Sequence, residues 1–570
     1  MWRAAATKHV YCPAVRKWVL ASLVFSCGIL LRLPAFTRAL LSDDEAIYAT
    51  TAAAMARGEL LYRDVVDHKP PLIYHMYQAG FALFGAFNTH GAHLLVLLAV
   101  LATGGLLWKL AQRGAPDGAS GAVAAFLFLV FSTTWHDYDA LAANCELFLL
   151  VPQTAAAWLL LRVVDSGETQ RTRVALEHLA IGLLVGCSAL FKYQGLTFLG
   201  VSAGLLGWAA VTLRISFARA VSALCIEGLA AFVPAGIYLA ICLASGNAAD
   251  AVYWFAFNFS YLGAGLSGLL ALRQAFWRLG LIGGIAIVPY GLGLWAAVHL
   301  TRKLVRAIRA PDRAACLGVQ PPGDLLALLW LVTSAVAVSA GGRFFGHYFH
   351  LVLPALSLLA APRVLALWRR GRDMRLLFSV LCAGPALVFF LLATVARPLA
   401  ERWDEGEPPY ESVSRRMVAL TGPGDRVFVW GNSPQLYVLA RRPLGARFTF
   451  CNYMTGESPG TPTESGGWDA DASSFPESWD MLFADLETRR PLLFVDAAAA
   501  GWDGYDKFPL ARYPRLAAYV AAHYIVAETT SGVVLYRRKS CSGCAAVSRR
   551  PPRSRKMVAP TRITGTAIMK

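Results

Sequence analysis

Residues 40–74 read "LLSDDEAIYATTAAAMARGELLYRDVVDHKPPLIY" and follow one of the most apolar segments of the chain. Three consecutive acids, Asp43, Asp44 and Glu45, stand a few residues beyond a run long enough to cross a bilayer, and the cationic His68-Lys69-Pro70-Pro71 closes the stretch. Carboxylates at the lip of a membrane helix need a reason, because ionisable groups near hydrocarbon are costly.

The rest of the sequence makes the membrane setting secure. Of 570 residues, 56% are hydrophobic and only 16% charged, more apolar surface than a water-soluble domain could cover. Apolar stretches of spanning length recur at 18–36, 92–108, 119–134, 145–161, 176–191, 195–213, 220–244, 276–299, 324–341, 350–368 and 376–397. The expected fold is therefore an α-helical polytopic membrane protein with about eleven transmembrane helices. The basic start followed by a long apolar run reads as an uncleaved first span rather than a cleaved signal.

The formal charge of +17 follows the spans rather than pointing to nucleic acid. Arg3, Lys8, Arg16 and Lys17, then Lys109 and Arg113, then Arg162, Arg171 and Arg173, then Arg214 and Arg219 fall on one side. The two richest loops, Arg302 to Arg313 and Arg369 to Arg375, fall there too, while the alternate short loops carry at most one basic residue each. By the positive-inside rule the N-terminus is cytoplasmic, and 37–91, 135–142, 192–194, 245–275, 342–349 and everything after 397 lie outside. A bacterial inner (plasma) membrane is the expected location. The eleven cysteines lie mostly inside apolar runs and form no framework, and the Cys541-Cys544 pair has no further metal ligands nearby.

After residue 400 the pattern changes to turn-rich stretches between short elements. "DRVFVWG" (425–431) reads as a buried strand, "SPQLYVLARR" (433–442) as a helix, and 478–497 as helix then strand. Residues 513–538 read as helix, strand, turn and strand. The expected organisation is a membrane domain over 1–400, a small extracytoplasmic α/β domain over 401–540 containing a long insertion at 452–476, and a disordered basic tail over 541–570.

Everything chemically unusual falls on the outer side. Residues 45–59 read as a helix lying along the interface, and 67–85 as a turn and a second amphipathic helix. "WHDYDALAANCE" (135–146) brings Asp137, Asn144 and Glu146, "FKYQG" brings Lys192, and "GGRFFGHYFHLVLP" (341–354) brings Arg343, His347 and Tyr348. Lys, Arg and His can hold a phosphate through charge-assisted hydrogen bonds, and a carboxylate beside them can take a proton from an attacking hydroxyl. Each group also has a structural reading. The three acids suit a helix N-terminus, Lys192 could snorkel, Arg343, His347 and Tyr348 could anchor an interface, Glu146 and Asn144 could cap a helix, and His136, Asp137 and Asp139 could be ordinary loop.

The first loop, with Asp44-Glu45, Tyr48, Gly58 and Lys69-Pro70-Pro71, resembles the signature loop of the GT-C glycosyltransferase superfamily. The bacterial branch related to protein O-mannosyltransferases and to the aminoarabinose and galacturonic acid transferases is the most similar. Asn144 and Glu146, Lys192, the Arg343-His347-Tyr348 pattern and Pro354 fit the same resemblance, which covers about residues 18–400. It implies transfer of a sugar from a polyprenyl-phosphate carrier, with inversion, to a glycolipid, glycan or protein acceptor outside the cytoplasm. The implied partners are that donor and membrane lipids, with no nucleic acid. The resemblance carries the base onto Asp44, with Asp43 and Glu45 as neighbours, and places His68, Lys69, Lys192, Arg343, His347, Tyr348, Asn144, Glu146 and Asp137 around the substrate. Where aminoarabinose transferases read Glu-Lys-Pro this chain has His68-Lys69-Pro70, so acceptor and metal dependence do not carry over. The metal is unknown, and a divalent ion is left open. A transporter or flippase for a lipid-linked or anionic solute is the competing class, and a non-catalytic scaffold a third.

Overall fold

A computed structural model describes residues 13–113, 118–134, 138–166, 171–263, 268–396, 409–456, 475 and 477–539. The first part is helical: α1 (Pro13–Arg32), α2 (Asp43–Ala56), α3 (Leu72–Phe84), α4 (His90–Gln112), α5 (Ala119–Phe131) and α6 (Cys145–Ser166). It continues through α7 (Arg171–Phe191), α8 (Phe198–Val211), α9 (Phe217–Ser245), α10 (Ala248–Gly263), α11 (Gly268–Ile285), α12 (Gly293–Arg309) and the short α13 (Arg313–Gly318). The last three are α14 (Pro322–Ser339), α15 (Leu353–Trp368) and α16 (Arg372–Leu391).

All eleven expected stretches are helical, but they are not eleven equal spans. Eight helices among the described residues are long and apolar enough to cross a bilayer. The stretch 276–299 is not one straight span: α11 and α12 meet at a bend of 106°. Gly283 and Gly284 loosen the ladder there, and Pro289 removes a backbone donor just past the break. At 13 and 16 residues, α5 and α15 rise only about 20 and 24 Å, so neither alone matches the roughly 30 Å hydrocarbon core.

Close helix contacts are built on glycine. A Cβ added at Gly182 would stand 2.3 Å from the carbonyl oxygen of Glu227, and one at Gly186 the same distance from that of Ala231. This Gly-x-x-x-Gly face lets the backbones of α7 and α9 approach, as small residues do where no hydrophobic effect drives association.

The α2 helix departs from the reading of the sequence. A helix lying along an interface would leave one face open, but residues 45–54 are buried in protein. An alanine-rich helix has no strong apolar stripe, and here neighbours cover it all round, including a helix from beyond residue 400.

That later region holds α17 (Pro409–Leu420), α18 (Gln435–Ala440), α19 (Asn452–Thr455), α20 (Glu477–Arg489) and α21 (Pro514–His523) around a sheet ordered β1-β2-β4-β3. The strands are β1 (Val427–Trp430), β2 (Leu493–Asp496), β3 (Tyr524–Thr530) and β4 (Val533–Arg538). β1 and β2 are parallel, with Val429 opposite Val495, and the other pairs are antiparallel. β3 and β4 form a hairpin whose two turn residues, Ser531 and Gly532, both have positive φ, as a two-residue turn of this hand requires. β1 and β2 are buried throughout and apolar except for Asp496 at the end of β2, although β1 stands at the edge of the sheet. Most of the insertion at 452–476, and all of the tail after 540, lie outside the described residues.

Candidate active site

The site is assembled from loops at one end of the helices. Ser42 caps α2 by accepting from the N–H of Glu45, so Asp43, Asp44 and Glu45 form its first turn, where the helix dipole favours anions. Successive side chains on a helix leave the axis about 100° apart, so the three acids face three different environments.

Glu45 faces inward and is 0% exposed. It accepts from the backbone N–H of Leu41 (2.8 Å) and of Ala143 (2.6 Å), and from His93 Nε2 at 3.0 Å. It ties the first loop to the loop before α6 and to α4.

Asp44 faces the helix mouths. Its Oδ1 accepts from Lys69 Nζ at 2.7 Å, its Oδ2 accepts from the Tyr48 hydroxyl at 3.3 Å, and His347 Nε2 stands 3.9 Å away. Burial works to raise its carboxyl, but Lys69, His347 and Lys192 together hold it well below the usual carboxylate range. Its side chain stays 27% exposed, open enough to meet a ligand. Burial likewise works against the charge on Lys69, yet Asp44 and Asp67 outweigh it and keep the ammonium charged above its ordinary range.

Around this pair the predicted cations and their carriers converge. His347 Nδ1 donates to Asp139 at 3.0 Å, and Asp139 also accepts from the backbone N–H of His347 and the side-chain amide of Asn144 at 3.1 Å each. Nδ1 therefore carries a proton, and Nε2 is the atom aimed at Asp44. Burial lowers the His347 pKa, but Asp139 and Glu146 more than reverse it. Lys192 pairs with Glu146 and sits over the Tyr348 ring, 3.8 Å from its centroid. The result is a continuous chain from Lys69 through Asp44, His347 and Asp139 to Asn144, with Glu146, Lys192 and Tyr348 beside it.

Other predicted residues stand apart. His68 turns back from Asp44: its Nδ1 lies 3.2 Å from buried Asp67 and 3.4 Å from the Tyr453 hydroxyl. Its backbone carbonyl accepts from Asn258. Arg343 is buried in the loop that leads into the 3-10 turn carrying His347 and Tyr348. Asp137 lies outside the described residues.

Asp43 points toward the later region and accepts from Gln435 Nε2 at 2.6 Å. Water reaches it, yet protein crowds it on most sides. Desolvation first, then the carboxylates of Asp503, Asp44 and Asp139, push its carboxyl up to about 7 against the Gln435 hydrogen bond. Tyr410 donates to Asp503 at 3.2 Å on the same side.

Sequence reasoning passed over Asp67 and Gln435, and it named Asp139 only beside His136 and Asp137 in a stretch that could be ordinary loop. Asp139 shared a short polar stretch with Asp137, and nothing in its spacing marked which acid would meet His347. Among the described residues, no three His, Cys, Asp or Glu side chains cluster as a metal ion would require. Asp44 and Asp139 are both engaged by cationic partners.

Residues 68–238 match the family model described as dolichyl-phosphate-mannose-protein mannosyltransferase. No curated protein sequence matches the chain. Among solved structures, ArnT from Cupriavidus metallidurans bound to undecaprenyl phosphate aligns with TM-score 0.55 at 17% identity, over 92% of this chain and 97% of that one. The chain has the GT-C fold. AglB, the oligosaccharyltransferase of Archaeoglobus fulgidus, solved with an inhibitory peptide and a dolichol-phosphate, gives TM-score 0.52 at 11% identity, over 92% of this chain and 74% of that one. The GT-C resemblance read from the first loop thus stands, and with its apolar helices the chain is a multi-pass membrane protein.

Proposed function

We propose that this GT-C chain is an integral membrane glycosyltransferase that moves a sugar, with inversion, from a polyprenyl-phosphate carrier to an acceptor at the membrane face where Asp44 lies. The observation that carries the reading is a partly open carboxylate, Asp44, set against Lys69 and His347, with Lys192 close by. The family model names a dolichyl-phosphate sugar, and the two aligned structures hold polyprenyl phosphates, which supports the donor class.

The chemistry follows from the charges. An acceptor hydroxyl attacks the anomeric carbon, its proton passes to the Asp44 carboxylate, and the carbon–oxygen bond to phosphate breaks with its electron pair staying on the phosphate. Cations preorganised around the leaving phosphate stabilise the charge it gains. In the resting site Lys69 makes Asp44 a weak base. A donor phosphate that draws Lys69 toward itself raises the basicity of Asp44 when a base is needed. Arg343 and Tyr348 would line the donor side, and Asn144 and Glu146 would hold His347 and Lys192 in place.

In this reading the membrane domain covers 1–400, the later α/β domain lies extracytoplasmically and meets the acceptor, and the N-terminus is cytoplasmic in a bacterial plasma membrane. The acceptor is a glycolipid, glycan or protein.

The test is purified protein in lipid nanodiscs with a polyprenyl-phosphate sugar, following release of polyprenyl phosphate. Asp44→Asn is expected to lower the rate by roughly 10²–10⁴ at normal protein level. Full activity in that variant sinks the assignment, and absence of any sugar release by the unaltered chain favours the transporter class instead.

A further inference from the structure

At the other end of the same helices lies a cavity that the transfer reaction does not use. α4 meets Glu45 at His93 and reaches the cavity at Leu110, 17 residues and about 25 Å later. α6 carries Glu146 in its first turn and reaches it at Leu161, and α15 starts beyond His347 and reaches it at Arg363, with Arg369 just past its end. The cavity holds about 430 Å³, in the range of small-molecule sites.

Its lining has two characters. One part is basic: Lys303, Arg363 and Arg369, with His299, against Asp324 as the one acid lining it among the described residues. The other part is aliphatic, from Leu161, Leu300, Leu326, Leu358 and Leu359. The Arg363 guanidinium lies over the Trp295 ring, 5.1 Å from its centroid, and that ring stacks on His299, so the cationic wall is held in place.

We propose that this cavity binds the phosphate headgroup of an anionic lipid from the leaflet opposite the candidate active site. A net positive lining calls for an anion, and the adjoining aliphatic wall at the ends of spans calls for one that carries hydrocarbon. A free phosphate ion would leave that wall against water. General attraction of basic loops to anionic lipid would act equally through Arg302, Arg306 and Arg309, which are exposed on α12 outside the cavity, and that gives the control.

The experiment uses the full chain in phosphatidylcholine nanodiscs, titrated with phosphatidylglycerol and read by melting shift and by native mass spectrometry of retained lipid. Lys303→Gln/Arg363→Gln/Arg369→Gln is expected to weaken binding by roughly a hundredfold and to remove one retained phosphatidylglycerol. Arg302→Gln/Arg306→Gln/Arg309→Gln, with the same charge loss, should weaken it by at most about fivefold in physiological salt. Lys303→Gln alone, at a position exposed to solvent, keeps the test available if the triple variant fails to fold, with an expected loss of about fivefold against less than about twofold for Arg302→Gln alone. Equal losses in both triple variants overturn the proposal, and so does stabilisation by inorganic phosphate that phosphatidylglycerol does not match.

Discussion

Asp43, Asp44 and Glu45 differ by what each side chain meets, and substitutions should separate them. Glu45 is a buried strut: Glu45→Ala orphans two backbone N–H groups and His93, and breaking such a buried pair costs about 3–5 kcal/mol. The expected result is loss of assembled protein in membranes, measured by detergent-solubilised yield and melting, whereas Asp44→Asn keeps the yield and loses turnover. Asp43 should act through pH. Its folded pKa, about 7, lies above the ordinary value near 3.9, so its unfavourable effect sets in as pH rises through that interval and is complete above 7. Asp43→Asn should therefore raise the melting temperature at pH 8 and leave it unchanged at pH 4. Because water reaches the group, the gain should be only about 1 kcal/mol. A melting difference that is the same at both pH values would refute the perturbed titration. The resemblance put Asp44 first among the three, but the separate parts of Asp43 and Glu45 were not legible, because adjacent acids at a helix start look alike until the loops from 139–146 and from beyond 430 are folded against them.

At the scale of elements, what the sequence revealed was set by composition. Hydropathy locates a span from its own residues, so the apolar stretches emerged as helices, and the strands around 427 and 493 emerged from unbroken apolar runs. The misread elements are those decided by partners. α2 is buried because others cover it, and the 106° bend before α12 belongs to the Gly283-Gly284 and Pro289 signals that hydropathy averaging passes over. The contact of α7 with α9 yields a direct test. Gly182→Val would drive a side chain into the Glu227 carbonyl, and forced overpacking of this kind costs about 3 kcal/mol. Gly207 in α8 has no heavy atom within 4 Å of an added Cβ, so Gly207→Val should leave the melting temperature almost unchanged. Equal tolerance of both would show that the α7–α9 approach is looser than drawn.

For the molecule as a whole, the region after 409 is fastened to the first loop rather than hung beside it. Glu59 meets Arg426 at 2.9 Å and Arg489 at 3.4 Å, and Arg489 also donates to the Asp64 carbonyl at 2.6 Å. The backbone N–H of Val66 donates to the Arg447 carbonyl, and His68 meets Tyr453. Each of these contacts lies within the segment that carries Asp44 at one end and Lys69 at the other, so loosening the clasp should loosen the ion pair at the site. Glu59→Gln is the lever: it removes the charge shared by two arginines, while its side chain touches neither Asp44 nor Lys69. Weakening a largely buried pair in this way should lower stability by about 2 kcal/mol. Hydrogen exchange should then quicken over both 59–69 and 426–448 together, with protection of α6 and α7 unchanged. Turnover should fall with the same variant, because Lys69 loses its fixed place against Asp44. Faster exchange confined to residues after 426 would mean that the later region only rests on the first loop and does not hold it.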